Sequence, residues 1–244
     1  MSGTLVIAGL GPGDEALVTP QVSAALARAS DIIGYIPYVA RISPRPGLRL
    51  HPSDNRVELD RARHALELAA GGAHVVVVSS GDPGVFAMAA AVFEALEDAS
   101  TAWADLQIEV LPGITAMLAA AAAAGAPLGH DFCAINLSDN LKPFDLVLKR
   151  IRLALEGDFA MAFYNPRSKS RPHQFAEVLE TLRQGAGPER LVIFARAVST
   201  PEQAIRVVPL FEARPEMADM RTVVIIGASN TRQVGRYTYT PRRV

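Results

Sequence analysis

Three glycine-proline segments carry the legible chemistry of this chain: Gly9-Leu10-Gly11-Pro12-Gly13-Asp14, Ser80-Gly81-Asp82-Pro83-Gly84 and Pro112-Gly113-Ile114-Thr115-Ala116. None holds a strong nucleophile or a soft metal ligand, so the chemistry they suit is binding through backbone groups and positioning of a reactant. A fourth segment, Tyr164-Asn165-Pro166-Arg167-Ser168-Lys169-Ser170-Arg171, gathers three cations within five residues. Such a run is either a solvated surface loop or a clamp for a carboxylate-bearing ligand, because arginine grips carboxylates bidentately. Asp14 and Asp82 are the carboxylates inside the glycine segments; Asp14 also reads as a solvated turn charge at a helix entry.

The elements that must hold these segments follow from the flanking patterns. Leu5–Ala8, Val75–Val78 and Ile108–Leu111 are short apolar runs placed just before the three glycine segments. Runs without polar alternation suit strands covered on both faces, and helical stretches lie between them, so crossover connections and a mainly parallel sheet are expected. Three loops then leave one sheet edge, where open α/β sheets hold ligands. Thr19 is a good N-cap and Pro20 a good first residue for a helix from Pro20 to Ala29. Asp31–Gly34 reads as a short strand followed by a Tyr35–Tyr38 loop, then come helices over Val57–Ala70 and Val85–Leu96. Beyond Gly113 an alanine-rich helix is followed by strands over Phe132–Asn136, Phe159–Tyr164, Leu191–Ala195 and Thr222–Ile226, with helices over Phe144–Leu155 and Pro172–Arg183. Ala204–Leu210 is ambiguous, its Ile205, Val207 and Val208 favouring strand. The expected architecture is α/β in two α/β domains, 1–113 and 114–244.

Bulk properties exclude several classes. The 244 residues carry a net charge of −1, against a dominant nucleic-acid footprint. A single cysteine, Cys133, rules out an internal disulfide and a Cys-rich zinc site, and reads as a small buried apolar residue. His51, His64, His74, His130 and His173 have no metal-ligand spacing, so no metal is expected. The start lacks the basic and apolar regions of a signal peptide, and no apolar run reaches the ~18–20 residues that span a bilayer; the chain reads as cytoplasmic, with no membrane partner. The first glycine segment departs from the dinucleotide fingerprint, since Asp14 stands where the third glycine belongs and Pro12 interrupts the turn.

Taken in order and spacing, Gly-x-Gly-Pro-Gly-Asp with Thr19, Gly-Asp-Pro and Pro-Gly-Ile-Thr-Ala resemble the tetrapyrrole methyltransferases of cobalamin and sirohaem biosynthesis, over nearly the whole chain. The resemblance implies a homodimer of two-domain α/β subunits with an S-adenosylmethionine cleft between the domains, S-adenosylhomocysteine as product and a carboxylate-rich tetrapyrrole as substrate. Ser79–Met88, His130–Cys133, Leu137–Asp139, Tyr164–Ser168 and Gly227–Thr231 resemble the branch that methylates ring carbon C17 and contracts the macrocycle. Sister branches acting at C11 or C20, a diphthine-synthase-like protein methyltransferase and a non-enzymatic cofactor-binding module are the alternatives. Asn140, Lys142-Pro143-Phe144 and Ala228 depart from that branch's usual residues.

By position, the resemblance implies that Pro12, Ser80, Gly81, Asp82, Val85, Thr115, Ala116, Asn165 and Ala197 line the cofactor site. It places a proton acceptor at Asp14. Ser138 and Asp139 are further catalytic candidates, for the proton movements of ring contraction. Arg167, Lys169 and Arg171 are then the candidates for substrate carboxylates.

Overall fold

Leu5 and Ile7 point to one face of the first sheet and Val6 and Ala8 to the other, and both faces are covered by helices. This is why the run shows no polar alternation. The computed structural model describes residues 3–98, 103 and 105–243, and the chain divides into Met1–Thr115 and Ala116–Val244, two residues beyond the expected boundary.

The first unit runs β1 (Thr4–Gly9), α1 (Pro20–Arg28), β2 (Asp31–Tyr35), α2 (Ile36–Val39), β3 (Arg49–Ser53), α3 (Glu58–Ala70), β4 (His74–Ser79), α4 (Met88–Asp98) and β5 (Gln107–Leu111). Its five strands are all parallel, in the order β3-β2-β4-β1-β5, with Val6 opposite Val76 and Glu109. Leu5, Ile7, Val75 and Val77 pack with Leu66 of α3 and Val92 of α4. Ala8, Val76 and Val78 pack on the other face with Val22 and Ala25 of α1. Thr19 caps α1, its Oγ1 accepting from the Val22 amide at 3.3 Å.

Helix α4 begins at Met88, three residues later than expected, and two further features differ from expectation. The Tyr35–Tyr38 loop is instead the one-turn helix α2, closed by the Ala40 amide on the Ile36 carbonyl; Pro37 is tolerated there because the first turn lacks amide partners anyway. The segment Arg-Leu-His-Pro-Ser, without apolar periodicity, forms β3. It is an edge strand pairing only with β2, a place where polar residues and a proline are admissible.

The second unit runs α5 (Ala116–Ala124), β6 (Gly125–Ala126), β7 (Phe132–Asn136), α6 (Phe144–Glu156), β8 (Ala160–Tyr164), α7 (Gln174–Gly185), β9 (Leu191–Arg196), β10 (Ala204–Pro209), β11 (Thr222–Ile226), β12 (Arg232–Val234) and β13 (Tyr237–Tyr239). Its main sheet has the order β10-β9-β11-β8-β7 and is mixed. Strands separated by helices, β7, β8 and β9, share one direction. Strands β10 and β11, reached without a crossover helix, run against them. Helices α6 and α7 cover one face through Ile151, Phe175, Val178 and Leu182. The alanines of α5 lie close on Ala162, Ile193, Ala195 and Ile225 of the other. A short sheet, β12-β13-β6, completes the unit.

Candidate functional site

Because β4, β1 and β5 are adjacent and parallel, the three glycine segments leave the same edge and meet there. Gly11 and Gly81 exchange backbone hydrogen bonds, Gly11 N–H to Gly81 O at 3.2 Å and Gly81 N–H to Gly11 O at 2.9 Å. A Cβ on Gly9 would lie 2.5 Å from the Gly81 carbonyl oxygen and one on Gly113 would lie 2.2 Å from it. Only glycine lets these backbones approach so closely. The Asp82 carboxylate accepts from the Gly84 amide at 2.8 Å and the Gly113 amide at 3.0 Å, so it fastens the second segment to the third. Phe86, next to Val85, is 47% exposed at a φ of +54°, a strained conformation of the sort that gathers at functional sites.

Asp14 is exposed, and its Oδ1 accepts from the Ala16 amide at 2.9 Å, capping a short 3₁₀ turn over Glu15–Leu17. The segment it closes is held from β2's side of the sheet by Arg41, whose Nη2 donates to the Leu10 carbonyl at 2.7 Å and the Gly13 carbonyl at 3.2 Å. Tyr38, in α2, packs edge-on against Tyr35 with ring centroids 5.4 Å apart. Burial raises its phenol above the usual range and Tyr35 adds to this, against the opposing charges of Arg41 and Arg61. Arg61, in the first turns of α3, is 5% exposed. Its Nε donates to Ser53 Oγ at 2.7 Å, its Nη2 to the Asp54 carbonyl at 2.6 Å and its Nη1 to Met88 Sδ at 3.2 Å. Sequence reasoning missed Tyr38, Arg41 and Arg61. The spacing Tyr35-x-x-Tyr38-x-x-Arg41 would have shown the first two on one face, had the segment been read as a helix.

In the second unit the carboxyl ends of β7, β8 and β9 share an edge. Asn165, just past β8, sits at a φ of +53° and its amide nitrogen donates to Asn136 Oδ1 at 3.1 Å, which also accepts from the Ser138 amide at 2.9 Å. Ala197, just past β9, is buried at a φ of +48°. Thr115 is buried and Ala116 opens α5, where the Met117 amide donates to the Tyr164 hydroxyl at 3.0 Å.

The expected clamp of three cations divides. Lys169 is exposed, and Arg167 is half-buried with its Nε on the Pro172 carbonyl at 3.3 Å. Arg171 corrects the sequence reading: it is 6% exposed, its Nη1 donating to the Asn165 carbonyl at 3.1 Å and the Leu137 carbonyl at 3.4 Å, its Nε 3.8 Å from Asp139 Oδ1. Gln174 donates to the other Asp139 oxygen at 3.2 Å. Arg171 and Asp139 thus tie the β7 and β8 loops together. Lys142, which sequence reasoning gave no role, donates to the Ser138 carbonyl at 2.9 Å. Its ammonium is held below the usual lysine range by burial and by Arg150, with Asp139 opposing. Among the described residues no three His, Cys, Asp or Glu side chains are grouped to hold a metal ion, and no helix is long and apolar enough to cross a membrane.

Comparison with known proteins bears on this arrangement. The chain is 51% identical over 247 aligned residues to a precorrin-3B C(17)-methyltransferase of Sinorhizobium sp, covering 99% of this chain and 97% of the relative. A crystal structure of the methyltransferase CobJ superposes with a TM-score of 0.97 at 72% identity, covering 98% of this chain and all of that one. A uroporphyrin-III C-methyltransferase from Thermus thermophilus, complexed with S-adenosylhomocysteine, has the same fold, with a TM-score of 0.69 at 21% identity over 92% of each chain. The pattern for Tetrapyrrole (Corrin/Porphyrin) Methylases matches residues 4–214. The chain belongs to the tetrapyrrole methylase family.

Proposed function

We propose that this protein is an S-adenosylmethionine-dependent C-methyltransferase of cobalamin biosynthesis that methylates precorrin-3B at C17 and contracts the ring to give precorrin-4. The observation that carries the reading is the junction of three glycine segments at one sheet edge, without a strong nucleophile or a soft metal ligand, in a chain half-identical to a relative of that name.

S-adenosylmethionine, when bound, supplies a methyl group already activated on a sulfonium, so no covalent enzyme intermediate is needed. The residues fit such a group. Ser80, Gly81, Val85, Ala116 and Ala197 are small, and Thr115 and Asn165 carry hydroxyl and amide groups for its polar parts. Pro12 belongs to the same set. In this reading Asp82 acts by locking Gly84 and Gly113 in place, since both its carboxylate oxygens are engaged. Holding donor and acceptor in line accounts for on the order of 7–11 kcal/mol of barrier lowering. Asp14, exposed at the end of the first segment, is assigned to accept the proton released when the ring carbon is alkylated. Ser138 and Asp139 are assigned to later proton movements, with Asp139 oriented by Arg171 and Gln174. Arg167 and Lys169 are assigned to substrate carboxylates. A cytoplasmic homodimer completes the proposal.

The deciding experiment is incubation with precorrin-3B and isotopically labelled S-adenosylmethionine, followed by mass and absorption spectra. One added methyl with the ring-contracted chromophore is expected. One added methyl without contraction would assign the chain to a C11 or C20 sister activity, and label found only in added protein to the diphthine-synthase type. Binding of S-adenosylhomocysteine without turnover would leave a cofactor-binding module.

A further inference from the structure

Phe86 carries two unfavourable features at once. It is 47% exposed, and its backbone sits at a φ of +54°, where an L side chain crowds its own backbone. The other described non-glycine residues at positive φ are Arg56, Asp158, Asn165, Ala197 and Ser199, so Phe86 is the one aromatic among them. The local sequence favours another conformation. Val85-Phe86-Ala87 leads as an apolar run into α4, yet the helix starts only at Met88 and these three residues are held outside it.

The turn that holds Phe86 in this state is pinned on both sides. The Asp82 carboxylate accepts from the Gly84 amide at 2.8 Å and the Gly113 amide at 3.0 Å. The Asp82 carbonyl accepts from the Val85 amide at 3.2 Å, and the Pro83 carbonyl accepts from the Ala89 amide at 2.9 Å, closing the loop across Phe86. The residue thus belongs to the loop that Asp82 fastens to the third glycine segment. Backbone strain persists only where the surroundings over-determine it, and it gathers at ligand sites. Internal packing gives little in return here: Phe163 and Phe175 are 0% exposed, whereas nearly half of Phe86 stays open.

We propose that Phe86 is a substrate-binding residue whose ring stacks on the face of the tetrapyrrole. A tetrapyrrole carries its carboxylates on the rim and leaves its broad faces apolar. Cations can hold the rim, but only an apolar surface can hold a face, and an aromatic ring does so in an offset stack. The left-handed backbone at Phe86 sets the direction in which the ring leaves the loop. The inference rests on the tetrapyrrole reading of the function and adds to it a residue that grips the macrocycle by its face.

The test uses the full-length protein and two variants. Phe86→Asn removes the ring and puts in a residue that tolerates the left-handed conformation; Phe86→Tyr keeps a ring. Affinity for uroporphyrin, a stable macrocycle, is read from its own fluorescence. S-adenosylhomocysteine affinity, melting temperature, size-exclusion elution and the apparent KM for precorrin-3B are measured beside it. Phe86→Asn is expected to weaken uroporphyrin binding and raise that KM about five- to tenfold, with S-adenosylhomocysteine affinity within about twofold and a melting temperature equal to wild type or about 2–4 °C higher from the relieved strain. Phe86→Tyr is expected to restore uroporphyrin affinity to within about threefold of wild type. Uroporphyrin affinity unchanged in Phe86→Asn would overturn the proposal. A lowered melting temperature or a changed elution volume in that variant would also overturn it, since the ring would then be packing inside the fold or between subunits. Parallel losses of uroporphyrin and S-adenosylhomocysteine affinity would overturn it too, placing the ring against the cofactor. Failure of the wild type to methylate precorrin-3B would sink the proposed function, while the uroporphyrin titration would still decide whether Phe86 holds a macrocycle.

Discussion

Asp14 combines two duties that one substitution separates. Its Oδ1 caps the Glu15–Leu17 turn, and asparagine keeps an acceptor oxygen there while losing the ability to take up a proton. Asp14→Asn is therefore expected to lower kcat about 10²–10⁴-fold with S-adenosylhomocysteine affinity unchanged; turnover at the wild-type rate removes the base role. The cations after β8 divide at the same scale. Exposed ion pairs are each worth up to about 1 kcal/mol, so Lys169→Ala and Arg167→Ala should each raise the substrate's apparent KM roughly two- to fivefold at constant kcat. Arg171→Ala instead strips a donor from the Asn165 and Leu137 carbonyls and leaves Asp139 facing a gap. Its expected signature is lost stability, about 1–3 kcal/mol in denaturant unfolding, and equal losses of stability in all three variants would refute the division.

Among the elements, the junction of the β1, β4 and β5 loops depends on missing side chains. Gly113→Ala would place a methyl 2.2 Å from the Gly81 oxygen, and backbone on both sides leaves no flexible atom to yield. This variant should fold with a lowered melting temperature and bind S-adenosylhomocysteine at least tenfold more weakly by calorimetry; wild-type affinity would show that the close approach is not needed for the cofactor. Much at this scale was legible beforehand. Strands β7 and β11 begin and end where their apolar runs and turn residues place them, because strand burial and capping are written in neighbouring residues. Strand β3 was not legible, since its stability comes from pairing with β2, 18 residues away in register (Asp31 opposite Arg49). Helix α2 was hidden by Pro37, which is read locally as a loop signal but is harmless in a first turn.

For the molecule as a whole, acid stability is set at the opposite edge of the first sheet. Asp31 is fully buried. Burial alone would raise its pKa, yet hydrogen bonds from Arg49, His51 and Ser30 bring it down to about 2 from 3.8. A carboxylate depressed on folding stabilises the native state above its unfolded pKa and loses that contribution as pH falls through the folded value. Stability should therefore decline between about pH 4 and pH 2, with about 1–2 kcal/mol of the decline absent in Asp31→Asn; identical acid profiles for the two proteins would exclude this. Asp158 and Asp219, each depressed by hydrogen bonds and arginine against the raising effect of burial, add to the same trend in the second unit. By itself the sequence determined the two α/β units, the covered strands, the three glycine segments at one edge and the family they resemble, because periodicity, caps and turn chemistry act over a few residues. The tertiary structure alone decided that the second sheet is mixed, that Arg171 is an internal tie, and that Arg41 braces the first glycine segment. Direction of pairing and burial depend on residues that meet only after the chain has folded.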